Sequence, residues 1–219
     1  MAKIGIFGGS FNPVHLGHLL IGRTAAEAFG LDKVLLIPCA VSPFKQGDAD
    51  LASGADRLEM IRLSTEGDEV LEPSSLELER GGVSYALDTV RAVRSMFTGS
   101  QIFFIMGMDS LLQLNRWHRV LDMLELCEVI TVMRPGIDAP VSAADLAFPP
   151  GVRERLMSGV IKGRLFDVSS SEIRRRIAEG RTIRYLVTPE VESYIAERGL
   201  YCSPDQRHRY RDRDRNRDR

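Results

Sequence analysis

The feature that most restricts how this chain can fold lies close to its start. Ile4 to Phe7 is a short apolar run that ends at Gly8-Gly9. Such a run reads as a buried parallel strand that closes in a tight turn. A helical pattern follows from about Leu16 to Phe29, with Leu19, Leu20, Ala25, Ala28 and Phe29 as its apolar face and Gly30 as its stop. Strand, glycine turn and helix in that order form the first half of a βαβ unit.

The pattern repeats downstream. Val34 to Ile37 reads as a second buried strand closed by Pro38, and Cys39 to Gly54 as a long surface loop rich in polar and small residues. Loops of that length in a compact domain are often functional. The spacing of Leu58, Ile61 and Leu63 predicts a helix over Ala55 to Thr65, and Val70 to Leu78 reads as extended. Ser84 reads as the N-cap of a helix reaching Met96. Gln101 to Met106 and Val129 to Met133 are further strand-like runs, the second closed by Arg134-Pro135-Gly136, with a broken helical stretch around Trp117 between them. Leu165 to Val168 reads as a last short strand, before helices at about Ser170 to Glu179 and Pro189 to Arg198.

Strands alternating with helices imply an α/β fold, a doubly wound parallel sheet covered on both faces. Right-handed crossovers then open a ligand crevice at the carboxyl ends of the strands. No internal repeat is evident, and residues 1–202 read as one domain. The tail, residues 203–219, is nearly all Arg and Asp from Arg207 onward. It has no apolar surface to offset the entropy of ordering, so disorder is expected and no role is assigned.

The formal net charge of -1 gives no global attraction to nucleic acid or acidic membranes, so any anion binding must be local. Cys39, Cys127 and Cys202 are too far apart for a metal or redox pair and read as reduced, packed thiols. The first residues lack a signal-peptide layout, and apolar runs such as Ile102 to Met106 are too short to span a bilayer. A cytoplasmic chain with no membrane or nucleic-acid partner is expected, and homo-oligomerisation is left open.

The turn between the first strand and helix carries the chemistry. Glycines let a backbone approach a phosphate, and a helix N-terminus offers unpaired N–H groups. The dipole alone is modest, about 0.3–2 kcal/mol. His15 and His18 add to it, being three residues apart and so on one face of a helical turn. Two such histidines are also half of a metal site, but no Cys or carboxylate cluster accompanies them.

The stretch Gly8-Gly9-Ser10-Phe11-Asn12-Pro13-Val14-His15-Leu16-Gly17-His18 resembles the G-x-F-N-P-x-H-x-G-H signature of the nucleotidyltransferase superfamily related to class I aminoacyl-tRNA synthetases. The resemblance implies a Rossmann-like nucleotidyltransferase fold in which Gly8, Gly9, Ser10, Phe11 and Gly17 shape an ATP site. It implies that His18 holds the α-phosphate and that His15 helps to hold the triphosphate. Downstream, Val168-Ser169-Ser170-Ser171-Glu172-Ile173-Arg174 is similar to the superfamily's I-S-S-T-x-I-R element. There Ser170 and Ser171 would supply hydrogen bonds, and Arg174 would neutralise the leaving pyrophosphate. Ser171 stands where the superfamily usually has Thr, which keeps the hydroxyl.

From about Lys3 to Tyr201 the chain resembles the bacterial nicotinate mononucleotide adenylyltransferase family. Pro43-Phe44-Lys45 stands where that family often has Pro-Pro-His-Lys, so Lys45 matches a phosphate-binding lysine while Phe44 replaces a histidine. Gly82 to Thr89 is similar to G-x-S-Y-T-x-D-T, which implies acceptor contacts from Ser84, Tyr85 and the backbone N–H of Ala86. Gly107-Met108-Asp109-Ser110 with Trp117 resembles a G-x-D-x…W stretch, whose aspartate faces the nucleotides and whose tryptophan stacks on a pyridine ring. Arg134 matches the arginine of the family's R-P-G. Each has an everyday alternative: Trp117 as a half-buried anchor, Asp109 as a helix cap, Lys45 as a solvated charge.

The implied reaction is transfer of AMP from ATP to nicotinate mononucleotide, giving nicotinate adenine dinucleotide and pyrophosphate in NAD biosynthesis. The implied catalytic residues are His15, His18, Lys45 and Arg174. Mg²⁺ would arrive carried by ATP, with no dedicated protein cage. The rival readings are another acceptor, such as nicotinamide mononucleotide or phosphopantetheine, and a nucleotide-binding module without catalysis. Trp117 and the Ser84-Tyr85 segment favour a pyridine nucleotide; His18, Lys45 and Arg174 together favour catalysis.

Overall fold

The computed structural model describes residues 1–43, 51–133, 142–163 and 166–202. Phe44, Lys45, Arg134 and the segment 203–219 lie outside the described residues. The chain begins with β1 (Lys3–Gly9), α1 (Leu16–Phe29), β2 (Lys33–Pro38), α2 (Gly54–Ser64), β3 (Leu71–Pro73), α3 (Leu76–Arg80) and α4 (Ala86–Met96). It continues with β4 (Gln101–Gly107), α5 (Met108–Leu112), α6 (Val120–Leu126), β5 (Glu128–Met133), α7 (Pro150–Ser158) and β6 (Val160–Lys162). It closes with α8 (Ser170–Ala178) and α9 (Pro189–Arg198).

The strands form one parallel sheet in the order β3-β2-β1-β4-β5-β6. Each central strand is apolar on both sides, as burial under two helical layers demands. In β1, Ile4 and Ile6 point to one layer and Phe7 to the other. In β4, Ile102, Phe104 and Met106 alternate in the same way with Phe103 and Ile105. The strand order reverses between β1 and β4, which opens a crevice there. The expected doubly wound sheet is the observed one.

Several local expectations need correction. Val70 to Leu78 is extended only at β3; Pro73 ends that edge strand, and Leu76–Arg80 coils into α3 after Ser75 and before Gly81. The last strand is Val160–Lys162, paired with Thr131 to Met133, while Phe166 to Val168 carry no regular structure. Ala28 is exposed, whereas the expected Ala25 is buried, together with Ile21 and Ala26. Ser84 does not cap α4: Tyr85 is its N-cap, and the Ser84 hydroxyl accepts the N–H of Ala40 at 3.0 Å.

The start of α1 explains an otherwise odd glycine. His15 is the N-cap in an extended conformation, and its backbone N–H donates to His18 Nδ1 at 3.2 Å. The two imidazoles stack with centroids 3.7 Å apart. A Cβ on Gly17 would stand 3.0 Å from His15 Nδ1 and 3.1 Å from Cε1, so a side chain there would push the stack apart. At the other end, Gly30 adopts φ 63° and its N–H reaches Ala26 O, which ends the helix.

α2 buries charge as well as the apolar Met60 and the expected Ile61. Asp56 and Arg57 are 7% and 1% exposed, whereas Leu58 and Leu63 are only partly buried. Asp56 Oδ1 accepts from Tyr194 Oη at 2.9 Å and from Arg198 Nε at 3.3 Å, joining α2 to α9. Its other oxygen accepts from Ser53 Oγ at 2.6 Å. Burial pushes the Asp56 carboxyl up, but the Ser53 and Tyr194 hydroxyls and Arg198 outweigh it and leave it below its ordinary range.

Two outcomes follow from these arrangements. Asp56→Ala should lower stability by about 2–3 kcal/mol at pH 7, read by urea unfolding. The folded-state value lies below the unfolded one, so the stabilisation is present above about pH 4 and lost as pH falls through the folded value. The gap between wild type and variant should therefore close on acidification. Gly17→Ala gains at most about 1 kcal/mol of helix propensity against about 1–3 kcal/mol of overpacking. A net loss of stability is expected, with shifted ring resonances of His15 and His18 in NMR spectra.

Candidate active site

A cavity of about 660 Å³ opens where the strand order reverses, a volume suited to a small-molecule ligand. Its floor is the carboxyl ends of β1 and β4, from Phe7 to Gly9 and from Phe104 to Gly107. One wall carries Ser10 and His18. His18 is half-buried between His15 and Phe11, whose ring lies 4.9 Å away. Its Nδ1 accepts from the backbone, so the neutral ring carries its proton on Nε2 and can donate through it.

The opposite wall comes from the starts of α4 and α5. Ser84, Tyr85 and Ala86 line it, with Gly107 and Asp109 beside them. Trp117 follows a 3-10 turn over Leu114–Arg116 and packs edge-on against Phe104, with centroids 5.6 Å apart at 81°. That contact leaves an indole side for the cavity. His118 lies against Tyr85 at 4.4 Å.

Other expected site residues are not among those that line this cavity. Phe11 is 1% exposed and adopts φ 46°, its ring wedged edge-on against Phe7. His15 is 3% exposed and stacks on His18, which lines the cavity. Gly17 is buried below them. Ser170 and Arg174 grip the turn itself: Ser170 Oγ donates to Pro13 O and Arg174 Nη1 to Asn12 O, both at 2.9 Å. Ser171 is exposed in the first turn of α8. The structure thus places the downstream element against the N-terminal one, 157 residues apart in the first of these bonds.

The cavity also holds groups that sequence reasoning passed over. Glu77, Arg116, His118 and Cys39 line it. Glu77 is 5% exposed and accepts from Thr89 Oγ1 at 2.6 Å. Reading 70–78 as extended hid it, although Ser75 and Gly81 around Leu76–Arg80 are a helix start and stop. The Cys39 thiol is pushed up by burial, against the pull of Arg57, so it stays protonated and unreactive at neutral pH. Cys127, buried in the other core layer, is pushed up to about 12. Among the described residues no group of three or more His, Cys, Asp or Glu could hold a metal ion, and no helix is long and apolar enough to cross a membrane.

A family model described as cytidylyltransferase-like matches residues 6–176. A Pelobacter propionicus protein named "Probable nicotinate-nucleotide adenylyltransferase" is 41% identical over 212 residues, spanning 91% of this chain and 98% of that one. A Shouchella clausii protein of the same name is 39% identical over 201 residues, covering 92% and 97%. Among solved structures, the Plasmodium falciparum nicotinic acid mononucleotide adenylyltransferase complexed with NaAD aligns with a TM-score of 0.71 at 16% identity, over 92% of this chain and 98% of that one. At that identity the agreement speaks to the fold, and the sequence relatives speak to the family. With a signature turn, a reversed strand order and relatives matched almost end to end, the chain belongs to the cytidylyltransferase-like family and, within it, to the nicotinate-nucleotide adenylyltransferases.

Proposed function

We propose that this chain transfers the AMP part of ATP to the 5′-phosphate of nicotinate mononucleotide, yielding nicotinate adenine dinucleotide and pyrophosphate. The observation that carries the reading is one cavity with His18 on one wall and the Ser84-Tyr85-Ala86 segment with Trp117 on the other. Two nucleotides can meet there end to end. The full-length relatives named for this reaction support the same assignment, as do the Plasmodium falciparum enzyme's structures complexed with APC and with NaAD.

An oxygen of the acceptor 5′-phosphate attacks the α-phosphorus in line. The bond from that phosphorus to the bridging oxygen breaks, and pyrophosphate leaves with the electron pair. The acceptor phosphate is ionised at neutral pH, so the step needs no general base. What remains for the protein is positioning and charge stabilisation. His18 Nε2–H donates to the α-phosphate oxygens as their charge grows, and His15 holds the ring that does so. Ser170, Ser171 and Arg174 serve the leaving pyrophosphate from α8. Lys45 and Arg134 complete the set as phosphate- and acceptor-binding cations. Trp117 stacks on the pyridine, while backbone groups at Tyr85 and Ala86 meet its carboxylate.

Mg²⁺ arriving with the triphosphate would supply charge withdrawal from the departing phosphates. Asp109 and Glu77 are the carboxylates of the cavity, and Asp109 is the exposed one. That set fits an ion held mainly by phosphate and water, with Asp109 as its protein contact. Such a reaction belongs in the cytoplasm, where ATP and the acceptor are both available.

The test is pyrophosphate release with ATP and Mg²⁺, comparing nicotinate with nicotinamide mononucleotide. Strong preference for the acid is expected; release with neither overturns the reading, and equal use replaces it with a dual-specificity enzyme. In the same assay His18→Ala should lose on the order of 10²–10³ in kcat, about 3–4 kcal/mol. An unchanged kcat in the folded variant would remove His18 from its role.

A further inference from the structure

Arg57 lies outside every site residue considered above, yet it is 1% exposed and forms no ion pair among the described residues. A buried charge needs polar partners, and Arg57 has three backbone carbonyls beside the Cys39 thiol. Nε donates to Ala52 O at 3.1 Å, Nη1 to Ser10 O at 2.9 Å and Nη2 to Cys39 O at 2.8 Å. The three carbonyls belong to three separate segments: the turn out of β1, the exit of β2 and the lead into α2.

Two of those segments line the cavity side by side, where the Cys39 N–H already donates to Gly9 O at 2.9 Å, and each leads to a different set of expected site residues. Ser10 belongs to the turn that carries the ATP side. Cys39 belongs to the strand exit that carries the acceptor side: the next N–H, of Ala40, goes to Ser84 Oγ at 3.0 Å, and the Ser84 N–H goes to Val41 O at 2.9 Å. The Cys39–Ala40 peptide is therefore held at both ends, by Arg57 through its carbonyl and by Ser84 through its N–H. The guanidinium is a planar, rigid fork, so its covalent geometry sets the spacing of the three carbonyls. In-line displacement needs reacting atoms about 3–3.5 Å apart, and a shift of about 1 Å can lower the rate about 10²-fold.

We propose that Arg57 is a positioning residue that fixes the register of the ATP-holding turn against the acceptor-holding segment, touching neither substrate. The inference rests on the adenylyl-transfer reading given above. Charge is secondary to the fork: lysine would keep the charge but is a single point on a flexible stem and cannot span three carbonyls.

The experiment compares Arg57→Lys and Arg57→Gln with wild type in the full chain. The expected kcat losses are about 10-fold for Lys and about 10²-fold for Gln, with Kd for nicotinate mononucleotide and for a non-hydrolysable ATP analogue, each measured alone, within about threefold of wild type. A residue that only stabilised the fold would lower Tm and leave kcat of the folded protein unchanged. Amide hydrogen exchange gives a readout free of turnover: peptides spanning residues 9–12 and 38–41 should both exchange faster in the Lys variant. Wild-type kcat in Arg57→Lys, or faster exchange in only one of the two segments, overturns the proposal. If wild type itself releases no pyrophosphate, the reaction reading falls, and exchange alone decides whether Arg57 couples the segments. Should Arg57→Gln fail to fold, the Lys variant still carries the test.

Discussion

Between Ser10 and Pro13 the backbone has left β1 without entering α1, and its carbonyls cannot find partners in a ladder or a helix. They find them in side chains from far along the chain: Ser10 O in Arg57, Asn12 O in Arg174, Pro13 O in Ser170. The Asn12 side chain is held as well, its oxygen accepting from the Ala52 N–H at 3.0 Å and from Tyr201 Oη at 2.7 Å. A buried polar group left unmet costs about 1–3 kcal/mol. Several of them at once would rival the 5–15 kcal/mol that typically holds a domain together. The turn exists because α2, α8 and the segment after α9 converge on it.

That convergence explains why residues expected to touch phosphate also have structural partners. Arg174 and Ser170 brace the turn, and α8 is thereby seated with its first turn beside the signature. The histidine pair has the same double character. His15 is too buried to reach far, but its stacked ring and its backbone N–H decide which nitrogen of His18 faces outward. Gly17 leaves the room for this.

Much of the fold could be read from the residues alone, because strands buried on both sides declare themselves as apolar runs. The limits of α1 at Leu16 and Phe29 were legible from a periodic face and a glycine stop. The cavity's two walls were legible too, through the turn after β1 and the Ser84 and Trp117 segments. What escaped was whatever breaks the equation of charge with solvent. Asp56 and Arg57 sit on a helix whose pattern offers Leu58, Ile61 and Leu63 as its inner face, and nothing local says that three carbonyls and a tyrosine hydroxyl await them. Ser84 has the chemistry of a cap, and only the tertiary approach of β2 redirects its hydroxyl to Ala40. Glu77 and β6 were lost to runs too short for periodicity to separate helix, strand and coil.

The clamp on Asn12 also sets an order of events in the life of the molecule. Synthesis proceeds from the N-terminus at roughly 5–20 residues per second, so the signature turn is made well before its braces. Its hydrogen bonds to Ser170, Arg174 and Tyr201 span 157, 162 and 189 residues. Contacts that distant close last, after local helices and neighbouring strands are in place. A nascent chain can carry every glycine and histidine of the signature and still lack a shaped turn, so the site takes shape only once Ser170, Arg174 and Tyr201 have been made.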